Sequence, residues 1–335
     1  MDSDIDKKYI LVTGGLGYIG SNTVIKLIEN GYQPIIIDNE STGLKSRLKD
    51  IKIITGLEVR YIHGDVKYIN NNDEIIKLMT EINIYGIIHF ASYKSVNESI
   101  SNPLKYYDNN LITTIELLNF MKKLNIKNII FSSSATVYGE PDKYPVNEFS
   151  NINEPKNPYG DNKQICERIL KNTSEAYCLN IVCLRYFNPI GSHESGLLSD
   201  NPKDTPENLI PYILKTINGE FTHLKVFGDK YNTHDGTAIR DYIDIMDLAD
   251  AHVKSLTIIE NNNFEIINIG AGCGHSVLEI INYFKKFNIE VPYQYYDNRP
   301  GDIEKIYADI SKADRLMNWV PKRNIYDSIK SILKK

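Results

Sequence analysis

A glycine-rich turn between a strand and a helix restricts this chain more than any other part of it. Thr13 to Gly20 reads T-G-G-L-G-Y-I-G, directly after the β-rich run Tyr9 to Thr13 and at the opening of a helical stretch from Ile19 to Glu29. Gly15, Gly17 and Gly20 satisfy GxGxxG, and Gly14, Gly17 and Gly20 satisfy a second three-glycine spacing. Glycine permits a tight turn and lets backbone N–H groups approach a pyrophosphate at the positive end of the helix. A turn without a ligand could use the same glycines. Asp38 argues for the ligand: it lies 18 residues past Gly20 and closes the next strand, Gln33 to Asp38. A carboxylate there accepts from an adenine-ribose 2′-hydroxyl and repels a 2′-phosphate. The turn therefore predicts an NAD site, with Tyr18, Ile19 and Asn39 beside the glycines and Asp38.

Further β-rich runs follow at Val59 to His63, Ile84 to Phe90 and Asn128 to Ser132, with helices near Asp73 to Glu81 and Thr113 to Leu124. Continuous apolar strands alternating with helices predict a parallel sheet covered on both faces, a doubly wound α/β (Rossmann) fold. The alternation loosens after Asn188, where Gly, Ser, Asn, Asp and Pro cluster. This predicts an NAD-binding domain over 1–188 and a smaller α/β substrate domain over 189–335, some of whose segments return to the first. Gly64-Asp65-Val66 follows the third strand; Asp65 could contact adenine or cap the next helix. Phe90, Ala91 and Lys94 follow the fourth strand, beside the expected cofactor cleft.

Composition excludes several classes. Net charge is −5 and the pI about 5.9, so no broad basic surface awaits nucleic acid. No apolar run approaches the ~18 residues of a membrane helix. The Met1 to Lys8 stretch has no apolar segment of the secretory kind. The four cysteines form no zinc spacing and read as reduced thiols of a cytoplasmic protein. His193-Glu194 does not continue into HExxH, so no metal site is expected.

Ser132-Ser133-Ser134 ends the fifth strand, and Tyr159-Gly160-Asp161-Asn162-Lys163 follows after a loop. With 23 tyrosines a chance YxxxK is expected, and Tyr326/Lys330 supplies a second match. Only Tyr159 follows a proline at a helix start and a serine 25 residues earlier. A tyrosine base near neutrality needs about three units of pKa depression, about 4 kcal/mol. A cation ~5 Å away supplies roughly 3 kcal/mol at an effective dielectric of ~20. Lys163, one helical turn on, and the positive nicotinamide ring would suffice together, with Ser134 holding the substrate hydroxyl.

These residues make the chain resemble the extended short-chain dehydrogenase/reductases, and among them the UDP-glucose 4-epimerase family. The likeness runs from Tyr9 to Trp319 through VTGGLGYIG, IIHFASYKSVNESI, PLKYYDNN, FSSSATVYGE, NPYGDNK, LRYFNPIGSH, NLIPYI, GTAIRDYIDIMDLADAHV and RPGD. The resemblance implies Ser134, Tyr159 and Lys163 as the catalytic trio. It places Asp38, Asp65, Val66, Lys94, Asn109 and Tyr186 around NAD, and Asn188, Asn208, Arg240, Arg299 and Asp302 around the UDP part of a UDP-hexose. Lys94, Ser134 and Tyr159 would touch substrate as well. Two arginines suit a diphosphate, though each could be an ordinary salt bridge. Phe227 could line a uracil pocket or belong to the core. A homodimer through Leu111 to Met121 and Lys163 to Leu170 is also implied.

Asp161-Asn162 departs from the basic or small residues common there, and both are expected to be exposed. Ile306, four residues past Asp302, stands where the family limits sugar size: tyrosine excludes N-acetylated sugars, and isoleucine is intermediate. Nucleotide-sugar 4,6-dehydratases of this fold carry Asp-Glu after the serine, where this chain has Ala135-Thr136.

Overall fold

The computed structural model describes residues 7–203, 205–299 and 301–334. Most of the polar opening stretch, residues 1–6, lies outside the described residues. The first part of the chain runs β1 (Tyr9–Thr13), α1 (Tyr18–Glu29), β2 (Gln33–Asp38), α2 (Arg47–Thr55), β3 (Arg60–His63), α3 (Asp73–Ile82) and β4 (Ile84–His89). It continues through α4 (Val96–Ser101), α5 (Pro103–Tyr106), α6 (Ile112–Lys123), β5 (Asn128–Ser134), α7 (Pro158–Tyr177) and β6 (Asn180–Tyr186). Then come β7 (Asn188–Ile190), α8 (Leu209–Ile217), β8 (Leu224–Phe227), β9 (Ile239–Asp244), α9 (Ile245–Ile258) and β10 (Phe264–Ile269). The chain ends with β11 (Gly274–Ser276), α10 (Val277–Lys285), β12 (Tyr293–Tyr296), β13 (Lys305–Ile306), α11 (Ser311–Met317) and α12 (Ile325–Leu333).

Seven parallel strands form the main sheet in the order β10-β6-β5-β4-β1-β2-β3. Successive residues of a strand face opposite sides, so a sheet buried on both faces needs every position apolar. Ile10, Val12, Ile36, Ile88, Ile130 and Val182 enter one core with α1 and α9. Leu11, Ile35, Ile87, Ile129, Phe131 and Ile181 enter the other with α6 and α7. The strand order reverses between β1 and β4, and the crevice at such a point is where α/β sheets bind ligands.

Two segments from beyond residue 188 return to the first sheet. β10 pairs with β6 from Phe264↔Ile181 to Ile269↔Tyr186, closing the first sheet with a late segment. Helix α9 is buried nearly all round and packs beside α1. Burial explains both returns, because neither the open edge of β6 nor the face beside α1 could stay wet. Between these returns, β9 anchors a small sheet with β11, β13 and β7, while β8 pairs with β12. A separate core under α8, α10 and α12 supports them.

Among the described residues no helix is long and apolar enough to cross a membrane, and no group of three or more His, Cys, Asp or Glu could hold a metal ion. All four cysteines are free thiols.

Ile130 lies fully buried in the interior strand β5. Ile130→Ala should cost about 2–5 kcal/mol of stability, read from the urea unfolding midpoint. A loss well under 1 kcal/mol would mean that this face is not close-packed.

Candidate active site

The glycine turn is shaped by close backbone approach. Gly14 has φ +69°, and a Cβ there would lie 2.7 Å from Ala91 N, just past β4. A Cβ on Gly20 would lie 2.4 Å from Gly14 O. Gly17 faces a more open side, where an added Cβ meets only Gly14 O at 3.1 Å. As N-cap of α1 it offers no side-chain acceptor. The N–H groups of Tyr18, Ile19 and Gly20 therefore lack partners within the helix and carry its positive end, which fits a pyrophosphate. Tyr18 can offer only its backbone, because its buried hydroxyl donates to Gly191 O at 2.6 Å.

Asp38 closes β2 and accepts from Leu16 N at 3.0 Å and Glu40 N at 2.8 Å. Burial pushes its carboxyl up, against the pull of those hydrogen bonds. Arg47, which sequence reasoning missed, donates to Leu16 O at 2.8 Å and to Ser199 O at 3.0 Å. The Leu16 peptide is thus held from both ends. Asp65 caps the short turn opening at Val66, accepting from Lys67 N at 2.9 Å, while its other oxygen accepts from Asn39 at 2.9 Å. Asn109 sits in a π-helical turn, Tyr107–Leu111, the sort of local irregularity found at functional sites. Its neighbour Asn110 bonds both the N–H and the carbonyl of Tyr93 and so fixes the loop that carries exposed Lys94. Lys94 Nζ stands 3.8 Å from Asp200.

The catalytic candidates meet where β5 ends. Ser134 Oγ accepts from Thr136 N at 3.2 Å and from Thr136 Oγ1 at 3.0 Å, so it caps a turn while facing the site. Helix α7 starts sharply at Pro158 because Asn157 accepts from Gly160 N at 2.9 Å. This puts Tyr159 in its first turn. Lys163, one turn later, is buried and donates to Ser132 O at 2.7 Å. Its ammonium lies 4.9 Å from the Phe131 ring centre and 5.7 Å from that of Tyr159. Tyr186 lies opposite Ser134 on β6, and its buried hydroxyl has no protein partner.

Burial pushes the Tyr159 phenol up to about 12, opposed by hydrogen bonding with Ser134, and pulls Lys163 down to about 8. In the protein alone burial governs both groups, and the ammonium one turn away from Tyr159 donates to Ser132 O. One sequence-based expectation fails here, that Asp161 and Asn162 are exposed. Asn162 is fully buried, donating to Pro158 O at 2.6 Å, and Asp161 is half-buried, accepting from Tyr107 Oη at 2.6 Å. Helix α7 packs against α4, α5 and the π-turn, so its flank is interior rather than surface.

The substrate candidates gather around β9. Asn188 pairs with Tyr242 in the β7–β9 ladder, and Ile306 pairs with Arg240 in the β13–β9 ladder. Arg240 donates to Asp302 and, at 2.6 Å, to Ile303 O. The Arg299 guanidinium stacks 3.9 Å over the Phe227 ring, so Phe227 faces the arginines while remaining half-buried. Arg299 also donates to Glu207 O at 3.5 Å, next to Asn208, the N-cap of α8. Asn208 itself donates to Asp200 at 3.3 Å. Sequence reasoning missed Tyr231, whose buried hydroxyl has no partner and feels the charges of Asp302, Arg240 and Arg299. Ile306 packs on Ala135, Val137, Tyr138 and Phe187, linking this cluster to the residues just past Ser134.

A strand-ending serine and a YxxxK helix beside a dinucleotide turn define a short-chain dehydrogenase/reductase of the extended kind. The sequence matches the family described as GDP-mannose 4,6 dehydratase over residues 11–332. It is 42% identical over 324 residues to a UDP-glucose 4-epimerase of Pasteurella multocida, covering 96% of this chain and 95% of that one. The fold is similar to UDP-glucose 4-epimerase of Bifidobacterium longum in complex with NAD+ and UDP, with TM-score 0.93 and 44% identity over 97% of both chains. It is also similar to the UDP-Glc/GlcNAc 4-epimerase of Campylobacter jejuni, with TM-score 0.82 and 32% identity over 97% of this chain and 98% of that one. The chain belongs to the UDP-glucose 4-epimerase family.

Arg47→Met should remove the charged donor from the buried Leu16 carbonyl, leaving it the Leu44 N–H alone, at about 1.5–3 kcal/mol, and loosen the turn. NAD affinity by titration calorimetry should fall roughly tenfold. Unchanged affinity would show that the turn holds its shape without Arg47.

Proposed function

We propose that the protein interconverts UDP-glucose and UDP-galactose by inverting C4 of the hexose through a transient 4-keto sugar. The observation that carries this reading is the meeting of Ser134, Tyr159 and Lys163 beside a glycine turn with unpaired helix donors. Bound NAD would take a hydride from C4 and return it to the opposite face, leaving no net redox change. The protein's residues manage the proton and the geometry. Tyr159 Oη removes the proton of the 4-hydroxyl, Ser134 Oγ holds that hydroxyl in line, and Lys163 supplies positive charge against which the phenolate forms. Because burial holds the phenol near 12, a second positive charge must stand in the site before the base ionises near neutrality. Arg240 and Arg299 hold the diphosphate, with Asn188, Asn208, Phe227 and Asp302 on the rest of the nucleotide. The hexose, held more loosely, is free to turn about those anchored bonds.

Ala135 and Thr136 carry no carboxyl, so the site lacks the added acid that a 4,6-dehydratase needs. Ile306, buried against Ala135 and Tyr138, bounds the hexose side, and its intermediate size leaves room for UDP-GlcNAc and UDP-GalNAc. Four free thiols suit a cytoplasmic setting. Leu104, Ile112 and Ile115 stand exposed near α6 and support a homodimer through that face. We assign 1–188 with β10 and α9 to the NAD-binding domain, and most of the remainder to UDP-sugar binding.

Tyr159→Phe should lower kcat on UDP-galactose by at least about 100-fold while NAD stays bound, as read by product chromatography and nucleotide absorbance. Retained turnover would remove Tyr159 as the base. Ile306→Tyr should depress turnover of UDP-GalNAc relative to UDP-galactose about tenfold, and an unchanged ratio would remove the gate.

A further inference from the structure

Behind the catalytic trio lies a buried charged network that the proposed chemistry does not use. Ser133 and Arg185 are cross-strand partners in the β5–β6 ladder, so their side chains share one face. Glu167 faces them from α7, four residues past Lys163. Arg185 Nε donates to Glu167 Oε1 at 2.9 Å and Nη2 to Oε2 at 2.6 Å; Ser133 Oγ donates to Oε1 at 2.5 Å. The guanidinium also stacks 4.8 Å over the Tyr138 ring, and Tyr138 Oη donates to Asn268 of β10 at 2.6 Å. Ser133, Glu167 and Arg185 are each less than one tenth exposed.

A buried ion pair is seldom the most stable filling for such a space, since well-packed apolar residues often do as well or better. Its place beside Lys163 gives it another use. The groups facing Lys163 are Tyr159, Cys166 and Glu167 of its own helix, Phe131 and Ser132 of β5, Cys183 of β6, and His89 of β4. Burial holds both thiols above their usual range and His89 down to about 3, so all three are uncharged at neutral pH. Among these groups Glu167 alone is then an anion. We propose that Glu167, locked by Arg185 and Ser133, is a positioning residue of the reaction: it fixes α7 against the end of β5 and stations a negative charge one helical turn from Lys163. The assignment rests on the epimerase reading, yet its main readout needs no turnover.

The test follows the 13Cε resonance of Lys163 against pH in the full chain carrying labelled lysine, assigned by its absence from Lys163→Met. In Glu167→Gln the ammonium loses its anion, so its charged form is disfavoured and its midpoint should fall by about one pH unit. The alkaline limb of kcat on UDP-galactose should move down with it, with kcat lowered roughly tenfold and KM within about threefold. Glu167→Leu with Arg185→Met removes the pair together and avoids stranding a buried arginine if the single variant fails to fold; because the guanidinium charge leaves with the carboxylate, its midpoint should fall in the same direction but by less. A purely structural role predicts lower thermal stability with the Lys163 midpoint and the kcat profile unmoved, and that result overturns the proposal. A parent protein that epimerises no UDP-hexose would instead sink the functional reading, while the Lys163 midpoint still decides the part played by Glu167.

Discussion

One hydrogen bond joins the two halves of the chemistry: the ammonium of Lys163 on the carbonyl oxygen of Ser132. It ties the first turns of α7 to the last residues of β5, and so sets where Tyr159 stands relative to Ser134. Burying an ammonium group costs several kcal/mol unless the protein supplies partners. Here they are a carbonyl dipole, the face of Phe131 and the carboxylate of Glu167. The same burial that makes the lysine easier to deprotonate makes the tyrosine harder to ionise. The resting pair is therefore an ammonium and a neutral phenol.

Around this pair the fold separates firmness from freedom. The nucleotide turn is closed by backbone contacts so tight that a single methyl group would collide, and Asp38 and Arg47 grip the Leu16 peptide from opposite ends. The groups around β9 belong to a smaller sheet with its own core. Ile306 joins the two regions, packing on residues that directly follow Ser134. A ligand gripped at one end, around β9, and loose at the other is what such an arrangement suits.

Much of this was legible in the residues. The first five strands, the glycine turn and the YxxxK helix declare themselves because strong local patterns coincide: continuous apolar strands, glycines where side chains cannot fit, and a proline at a helix start. The late elements were harder. β11 and β13 are too short, at three and two residues, to show any period, and exist because β9 offers them an edge. Asn162 was misplaced because a polar residue on a helix reads as exposed, whereas α7 is covered on its flank by α4, α5 and the π-turn. Arg47, Asn110 and Glu167 act through partners 31, 17 and 18 residues away, a relation that only folding reveals.

The return of β10 to the edge of β6 has a practical meaning for anyone who would cut this gene into parts. A fragment ending near residue 188 would contain every glycine of the nucleotide turn and every member of the trio, and would still present β6 as a bare border with its row of unsatisfied amides. It would also lack Asn268, the far end of the chain of contacts that steadies Arg185. Such a piece would invite strand-to-strand aggregation, so the half that binds nucleotide is not a portable module but depends on residues synthesised some eighty positions later.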